Sequence, residues 1–191
     1  MNKAKPISFN ELTKETWPDF EKLFGEKGAC GGCWCMTWRL LSKDFEAGKG
    51  HGNKKAMKSL VNRGRNIGII AYENNEPVGW CSVAPREDFI RLEKSRMLKP
   101  IDDKPVWSVS CLFIAKSHRR RGVSVKLLEA ALKFAKKKGA KIVEGYPTEP
   151  YNESIPAAFA WTGIPSSFEE AGFKEAARRS KTRPIMRYYL K

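Results

Sequence analysis

Long hydrophobic runs are absent from this sequence, and no apolar stretch follows its polar opening, residues 1–11. A membrane-spanning helix needs about 20 consecutive apolar residues, and the longest runs here are far shorter. We therefore expect no membrane span and no secretion signal, so the cytoplasm is the default location. Internal repeats, low-complexity tracts and linkers are also missing, and the 191 residues predict a single domain with a substantial core.

Cysteine is scarce, with five residues in all, and this odd number argues against the disulfide scaffold of a secreted protein. Three of the five stand in segment 30–39, CGGCWCMTWR. Thiols at such short spacing suit zinc, but no second Cys-x-x-Cys exists to complete a site. We therefore predict no metal at Cys30, Cys33 and Cys35, and no redox pair within the segment.

The same segment has two other interpretations. In the first it is a loop that lines a substrate pocket, because its glycines permit a tight turn, its aromatic residues supply a wall and its arginine is available for an acidic group. The residues of this wall would be Cys33, Trp34, Trp38 and Arg39. In the second, Trp34 and Trp38 are core residues on one face of a helix, since they stand four positions apart. The sequence favours neither.

Acidic residues are outnumbered, with 21 against 36 lysines and arginines, which gives a formal net charge of +15. Such a charge attracts nucleic acid, membrane surfaces or phosphate-bearing ligands, but a solvated lysine-rich surface produces it equally well. A nucleic-acid-binding module would interleave aromatic residues with arginines on one surface. Here the aromatic residues lie mostly within apolar runs, so nucleic acid is not the expected partner.

What the chain does have is a regular succession of apolar patterns, which predict strands or helices by their period. The predicted strands are 7–12, 66–72, 78–83, 106–114, 141–146, 173–179 and 184–190. The predicted helices lie around 20–24, 54–62, 122–138 and 166–171, with one or two further helical turns in 85–92. The strand, helix and strand between 106 and 146 require a crossover, so these two strands should be parallel neighbours. This order predicts an α+β fold, a single-domain mixed sheet with helices on both faces.

The stretch 106–124, VWSVSCLFIAKSHRRRGVS, organises the rest of the chain. A buried strand runs into three arginines, a glycine and the start of the clearest amphipathic helix. Main-chain amides at a helix start lack internal partners, and the helix dipole adds positive potential there. Glycine lets the backbone approach a ligand closely. This stretch therefore predicts a site for an anion such as a pyrophosphate.

Two motifs in this order resemble those of the GCN5-related N-acetyltransferase (GNAT) family. Arg119-x-x-Gly122-x-Ser124 matches the family pattern Arg/Gln-x-x-Gly-x-Gly/Ala between its central strand and helix. Residues 168–173, FEEAGF, resemble the late family signature Tyr-Glu-Lys-Leu-Gly-Phe. The resemblance covers roughly residues 66–191 and implies acetyl-CoA as the cofactor. The CGGCWC segment is similar to one in a poorly understood bacterial branch of these enzymes.

The resemblance implies one GNAT-like domain over residues 1–191. Residues 1–65 would form the acceptor side, 66–150 the acetyl-CoA core, and 151–191 a C-terminal helix and hairpin. In this family the central strand splays from the next parallel strand, and the pantetheine arm of the cofactor enters the gap. The main chain of Leu112, Phe113 and Ile114 would pair with that arm. The pyrophosphate would be held by Arg119, Arg120, Arg121, Gly122, Val123 and Ser124.

This sequence departs from the family pattern at three positions. Ser124 replaces the usual Gly or Ala, although its hydroxyl can donate to a phosphate. Phe168 stands where many members have the tyrosine that protonates the departing thiolate, so Tyr146, Tyr151 or water would have to serve. Trp161 replaces the asparagine that usually precedes that tyrosine by some seven residues.

Acetyl transfer to an amine also needs a base and an acceptor site. Glu144, on the strand that flanks the gap, is the candidate general base, with a solvated strand residue as the alternative. Ser108 and Ser110 interrupt the apolar central strand. They either line the acceptor site or pack under a neighbouring strand.

The sequence therefore predicts an acetyltransferase that moves the acetyl group of acetyl-CoA to an amine by direct attack. The acceptor is an unidentified small molecule or peptide. One alternative is an acyl-CoA-binding sensor without turnover, motivated by Phe168. The other is a basic nucleic-acid-binding module, motivated by the charge. The final hairpin could support a homodimer.

Overall fold

A computed structural model describes residues 6–150 and 160–191. Its strands are β1 Ile7–Glu11, β2 Gly68–Glu73, β3 Glu76–Pro85, β4 Trp107–Ile114, β5 Ile142–Gly145, β6 Lys174–Arg178 and β7 Pro184–Tyr189. They form one sheet in the spatial order β1-β2-β3-β4-β5-β7-β6. Neighbouring strands are antiparallel except β4 and β5, which are parallel as predicted.

The α-helices of the described ranges are α1 Trp17–Phe24, α2 Ser42–Ala47, α3 His51–Asn62, α4 Ile90–Glu93, α5 Val123–Lys137 and α6 Pro165–Glu170. Helix α2 has no clear signal in its polar sequence. Helix α3 begins at His51, earlier than the predicted start at residue 54. Asn53 lies within it, and its buried side-chain amide donates to the main-chain oxygens of Gly32, at 3.1 Å, and Phe45, at 3.3 Å.

Helices cover both faces of the sheet, which confirms the predicted α+β class. On one face, α5 and α6 bury a cluster that includes Leu127, Leu128 and Phe168. On the other, α1 and α3 bury a cluster that includes Phe20 and Trp80. A third cluster is built around Tyr146, Phe89, Leu92, Leu98, Ile185 and Ala84. Within the described residues no helix is both long and apolar enough to cross a membrane.

The two parallel strands separate part-way along their length. Their ladder runs from the pair Trp107 and Val143 to the pair Val109 and Gly145. Strand β5 ends there, whereas β4 continues to Ile114 while paired with β3 alone. A register shift between Ser82 and Val83 leaves one extra residue on β4, at Ser110, so a bulge lies where the separation begins. The sheet therefore opens a gap beside the second half of β4.

Candidate functional site

The loop between β4 and α5 presents a row of free main-chain amides. Arg120 and Gly122 take left-handed backbone angles, with φ of 57° and 72°, and this turns the chain sharply into the helix. None of the amides from Arg120 to Val125 donates to an acceptor in residues 6–150 or 160–191. They lie at the positive end of the 15-residue helix α5. This arrangement is a cradle for an anion.

Two side chains of the loop brace it against the protein. Arg119 donates from Nε to the Ile114 carbonyl at 3.0 Å, and Arg121 donates to Glu73 at 2.7 Å. His118 also lies 3.2 Å from the Glu73 carboxylate. Burial acts to raise the pKa of Glu73, but His118 and Arg121 together hold that pKa below its ordinary value. The main-chain amides are therefore free to meet a ligand, whereas one guanidinium nitrogen of each arginine is engaged by the protein.

The edge of β4 that faces the gap consists of alternate residues. The Ala115 amide donates to Val78 on β3, so by alternation the main chain of Phe113 also faces β3, and its Cα lies opposite Trp80. The main-chain groups of Leu112 and Ile114 point into the gap. The expectation that Phe113 pairs with a cofactor arm therefore needs correction, because pleating turns its main chain away.

One main-chain donor that faces the gap already has a partner within the protein. The Leu112 amide donates to the Trp161 carbonyl at 2.6 Å, and the Thr148 amide donates to Gly163 at 2.9 Å. Residues 160–163 therefore lie along β4 and occupy its first free donor. A ligand that pairs with Leu112 must first displace the Trp161 carbonyl.

Tyr146 directly follows the end of β5, two residues after Glu144, so the two side chains lie on the same face of the sheet. The Tyr146 hydroxyl donates to Glu144 Oε2 at 2.8 Å and accepts from Arg86 Nη1 at 2.8 Å. Ser108 Oγ lies 2.8 Å from the same hydroxyl. Glu144 is 1 % exposed and Tyr146 is 2 % exposed. The structure thus brings together three residues predicted to serve catalysis or the acceptor, and it shows that Glu144 is not a solvated strand residue.

A second arginine completes this buried network. Arg187 Nε donates to Glu144 Oε1 at 2.6 Å, and its two terminal nitrogens bind Asp102 at 2.7 and 2.9 Å. The bond from Arg187 lowers the pKa of Asp102 to about 2. Burial and the nearby charge of Glu144 raise the pKa of Tyr146 well above its ordinary value, so its hydroxyl keeps its proton.

Glu144 also reaches the edge of a surface cavity of about 280 Å³. Five carboxylates and three basic side chains line this cavity, and they belong to Glu87, Glu93, Asp102, Asp103, Glu144, Arg86, Lys104 and Arg187. The hydrogen-bonded pair of Tyr146 and Glu144 therefore links the region where β5 ends to an opening on the surface.

Ser110, the other serine of β4, has a different environment. It occupies the bulge and donates from Oγ to Ser82 Oγ at 3.0 Å. Both hydroxyls are buried. Ser110 therefore packs against β3, whereas Ser108 belongs to the network of Tyr146.

Comparison with known proteins agrees with this geometry. The model of the acetyltransferase (GNAT) family matches residues 34–158, more than half of the chain. This chain is a member of the GNAT family. No curated protein sequence matches it. The family match begins at Trp34, upstream of the motifs that carry the resemblance in the sequence.

Solved structures show the same fold at low sequence identity. PaiA N-acetyltransferase from Thermoplasma acidophilum, in complex with coenzyme A, has 15 % identity and a TM-score of 0.55, over 97 % of this chain and 99 % of that one. A GNAT acetyltransferase from Streptococcus agalactiae has 10 % identity and a TM-score of 0.57, over 97 % and 96 %. The aminoglycoside N-acetyltransferase AAC(6')-Iy, in complex with CoA, has 15 % identity and a TM-score of 0.56, over 100 % and 98 %.

Phe168 lies at the GNAT gap without a polar group. It is fully buried, and its ring fills the space that a side chain at Gly145 would need. The ring thus lies beside the last paired residue of β5, on the α5 face of the sheet, and Tyr146 points to the opposite face. Tyr151, the other predicted proton donor, lies outside the described residues.

The cysteine-rich segment of this GNAT chain divides between core and surface. Trp34 is buried between Trp17 and Phe24, so it is a core residue, but with φ of 43° it does not stand on a helix. Trp38 is partly exposed and lies 5.9 Å from Trp161 between ring centroids. Arg39 is buried with its guanidinium 3.7 Å from Asp88.

The three thiols of that segment have unlike surroundings. Cys30 is exposed, Cys33 is partly exposed and donates to the Gly28 carbonyl at 3.5 Å, and Cys35 is buried. Across the part of the chain that the structure describes, no three Cys, His, Asp or Glu side chains are arranged as a metal-binding group.

Arg86 and Arg187 were not predicted from the sequence, although they hold Glu144 and Tyr146 in place. For Arg187 the signal was a single charge inside an apolar strand, Pro184–Tyr189, whereas Arg86 directly follows the strand Glu76–Pro85. A buried arginine of this kind needs a carboxylate partner, because burying an unpaired charge is costly. That partner lies far along the chain, so spacing alone does not identify it.

Proposed function

We propose that this GNAT protein transfers the acetyl group of acetyl-CoA to an amine of a small molecule or peptide. The free amides from Arg120 to Val125, at the end of a strand that has separated from its parallel neighbour, carry this proposal. Acetyl-CoA is the cofactor that family membership implies, and its pyrophosphate suits a helix N-terminus with unpaired donors. When bound, acetyl-CoA supplies an acetyl thioester, which the acceptor nitrogen would attack directly.

The residues of the gap would orient the pantetheine arm. We expect the main chain of Leu112 and Ile114 to pair with it, as an added strand pairs with a free edge. The Leu112 amide would first leave the Trp161 carbonyl, and the Ile114 carbonyl would leave Arg119. Each exchange replaces one hydrogen bond by another, so its net cost is small.

Proton transfer would follow the hydrogen bond from Tyr146 to Glu144. The Tyr146 hydroxyl holds a proton, and rotation about its C–O bond can turn that proton toward the gap. Donors from Arg86 and Ser108 would stabilise the oxygen that remains. Glu144 would act as the base that takes the proton of the acceptor amine, by way of the cavity that it lines. We therefore assign the acid role to Tyr146 and the base role to Glu144, with Ser108 as a positioning residue.

Calorimetry and turnover separate this function from its two rivals. We expect acetyl-CoA to bind, and thiol release over a panel of primary amines to show turnover with at least one of them. Cofactor binding without turnover on any amine or peptide would favour the acyl-CoA sensor. Salt-dependent binding of duplex DNA without cofactor binding would overturn the proposal in favour of the nucleic-acid-binding module.

Gly122 offers a sharper test of the anion cradle, because the chain contains a matched control at the other end of α5. Gly122 and Gly139 have φ of 72° and 88°, and a Cβ at either would meet no atom within 4 Å. Each change to alanine should thus cost about 1 kcal/mol of backbone strain. We expect Gly122→Ala alone to weaken acetyl-CoA binding, since only there does the backbone face the phosphates. Equal affinities of the two variants in calorimetry would contradict the site.

The finer assignments complete the proposal. We place the protein in the cytoplasm and in the bacterial branch that has the CGGCWC segment. We also propose that residues 1–65 form the acceptor side and that the hairpin of β6 and β7 can mediate a homodimer. Trp38, beside Trp161, is the residue of the cysteine-rich segment that we expect to line the acceptor path.

A further inference from the structure

The thiols of the cysteine-rich segment have no part in the proposed acetyl transfer. Its third thiol, Cys35, is 6 % exposed and lies under the sheet face that carries Trp80. Trp80 Nε1 donates to Cys35 Sγ at 3.2 Å. Trp34 and Cys35 both have left-handed backbone angles, with φ of 43° and 59°. Such angles are unfavourable for these residues, and the buried Trp34 ring holds them in place.

A second thiol, that of Cys111, comes from a distant part of the chain and packs against the same buried cluster as Cys35. Cys111 lies on β4 directly opposite Ser82 of β3, between the bulge at Ser110 and the gap-facing Leu112. Side chains opposite one another on antiparallel strands lie about 5 Å apart, and Trp80 is the diagonal neighbour on the same face. Cys35, bonded to Trp80, belongs to the buried cluster against which Cys111 packs, so the two thiols lie on the same face of the sheet.

The surroundings make one thiol of this pair reactive. The nearby Cys111 thiol lowers the pKa of Cys35 to about 7, together with the Trp80 donor and the charge of Arg39, although burial opposes this. Cys35 in turn raises the pKa of Cys111. A thiolate beside a protonated thiol is the usual arrangement of a reactive dithiol. Cys81, by contrast, is buried with a raised pKa and should be inert.

We propose that Cys35 and Cys111 form a redox pair that closes to an intramolecular disulfide when a hydroperoxide oxidises the protein. With hydrogen peroxide, the two thiols lose two protons and two electrons as the S–S bond forms. The O–O bond breaks, and both oxygens leave as water. Because Cys111 follows the bulge and precedes Leu112, the new bond would tie the cysteine-rich segment to β4 beside the gap. If the proposed function holds, oxidation would lower the rate of acetyl transfer.

The linkage itself can be tested without any activity. The wild-type chain is treated with stoichiometric hydrogen peroxide, its remaining thiols are alkylated, and disulfide-linked peptides are identified by mass spectrometry. We expect two of the five thiols to disappear. A peptide joining Cys35 to Cys111 should appear and should revert with dithiothreitol. A link within 30–35, or five thiols that persist until the protein unfolds, would overturn the proposal.

Two cysteine variants test which thiols form the disulfide and whether that bond changes the rate of acetyl transfer. Cys30→Ser, at an exposed thiol of the same segment, should form the linked peptide normally, whereas Cys111→Ser should form none. The ratio of oxidised to reduced transfer rate should fall in the wild type and in Cys30→Ser, and stay at one in Cys111→Ser. A linked peptide with an unchanged ratio would disprove the inhibition alone. The identification of the linked peptide does not depend on whether any amine is acetylated.

Discussion

Changing Tyr146 to phenylalanine should lower kcat by about 10²–10⁴-fold, the range for losing a positioned acid or base. The expected cause is loss of the only hydroxyl that bridges Ser108, Arg86 and Glu144 among the described residues. Affinity for acetyl-CoA should be unchanged, because the cradle before α5 is untouched. Steady-state thiol release and calorimetry on the same samples would measure both quantities.

Tyr189 provides the matched control for this change. It lies at the end of β7 and is 57 % exposed, so Tyr189→Phe removes a hydroxyl of the same kind from a solvated position. We expect its kcat to match the wild type. The raised pKa of Tyr146 adds a second readout, since its titration should give no alkaline limb in the pH profile of kcat near neutrality. A Tyr146→Phe variant with full kcat would transfer the acid role to another group.

Local sequence patterns were sufficient to predict the main strands and helices of the fold and the anion cradle. The run from β4 through three arginines into α5 carries its own signals, which are a continuous apolar strand, a glycine with positive φ and a helical period. All of these lie within 20 residues or so of one another, so the sequence predicts them together. The parallel pairing of β4 and β5 followed from the same short stretch by the crossover rule.

The contacts that complete the site join distant parts of the chain and could not be inferred this way. Arg187 meets Glu144 across 43 positions, and Cys111 of β4 packs against the buried cluster that contains Cys35. The occupation of the Leu112 amide by Trp161 depends on how residues 160–163 cross the gap. The pleat of β4 decides that Phe113 faces β3, and a pattern of apolar residues does not contain that information. Tertiary packing, rather than propensity, fixes each of these.

The second large expected effect is a loss of stability, and it arises from the buried ion pair between Glu144 and Arg187. Changing Glu144 to glutamine should lower the free energy of unfolding by about 3–5 kcal/mol, because it leaves Arg187 and Arg86 without their buried counter-charge. Both arginines keep a partly exposed carboxylate, Asp102 and Glu93. The loss should therefore fall toward the lower end of that range. Urea unfolding, with the midpoint and slope fitted together, would measure it.

Two further variants test whether the burial of an unpaired charge causes this loss of stability. The Asp102 side chain is 35 % exposed, so Asp102→Asn should cost much less than Glu144→Gln although both bind Arg187. Adding Arg187→Met to Glu144→Gln should recover part of the loss, since no unpaired charge then stays buried. The pKa of Asp102 falls from 3.8 to about 2 on folding, so its share of stability is present above pH 4 and disappears toward pH 2. Equal losses in Glu144→Gln and Asp102→Asn, or strict additivity in the double variant, would show that the arginine does not depend on its buried partner.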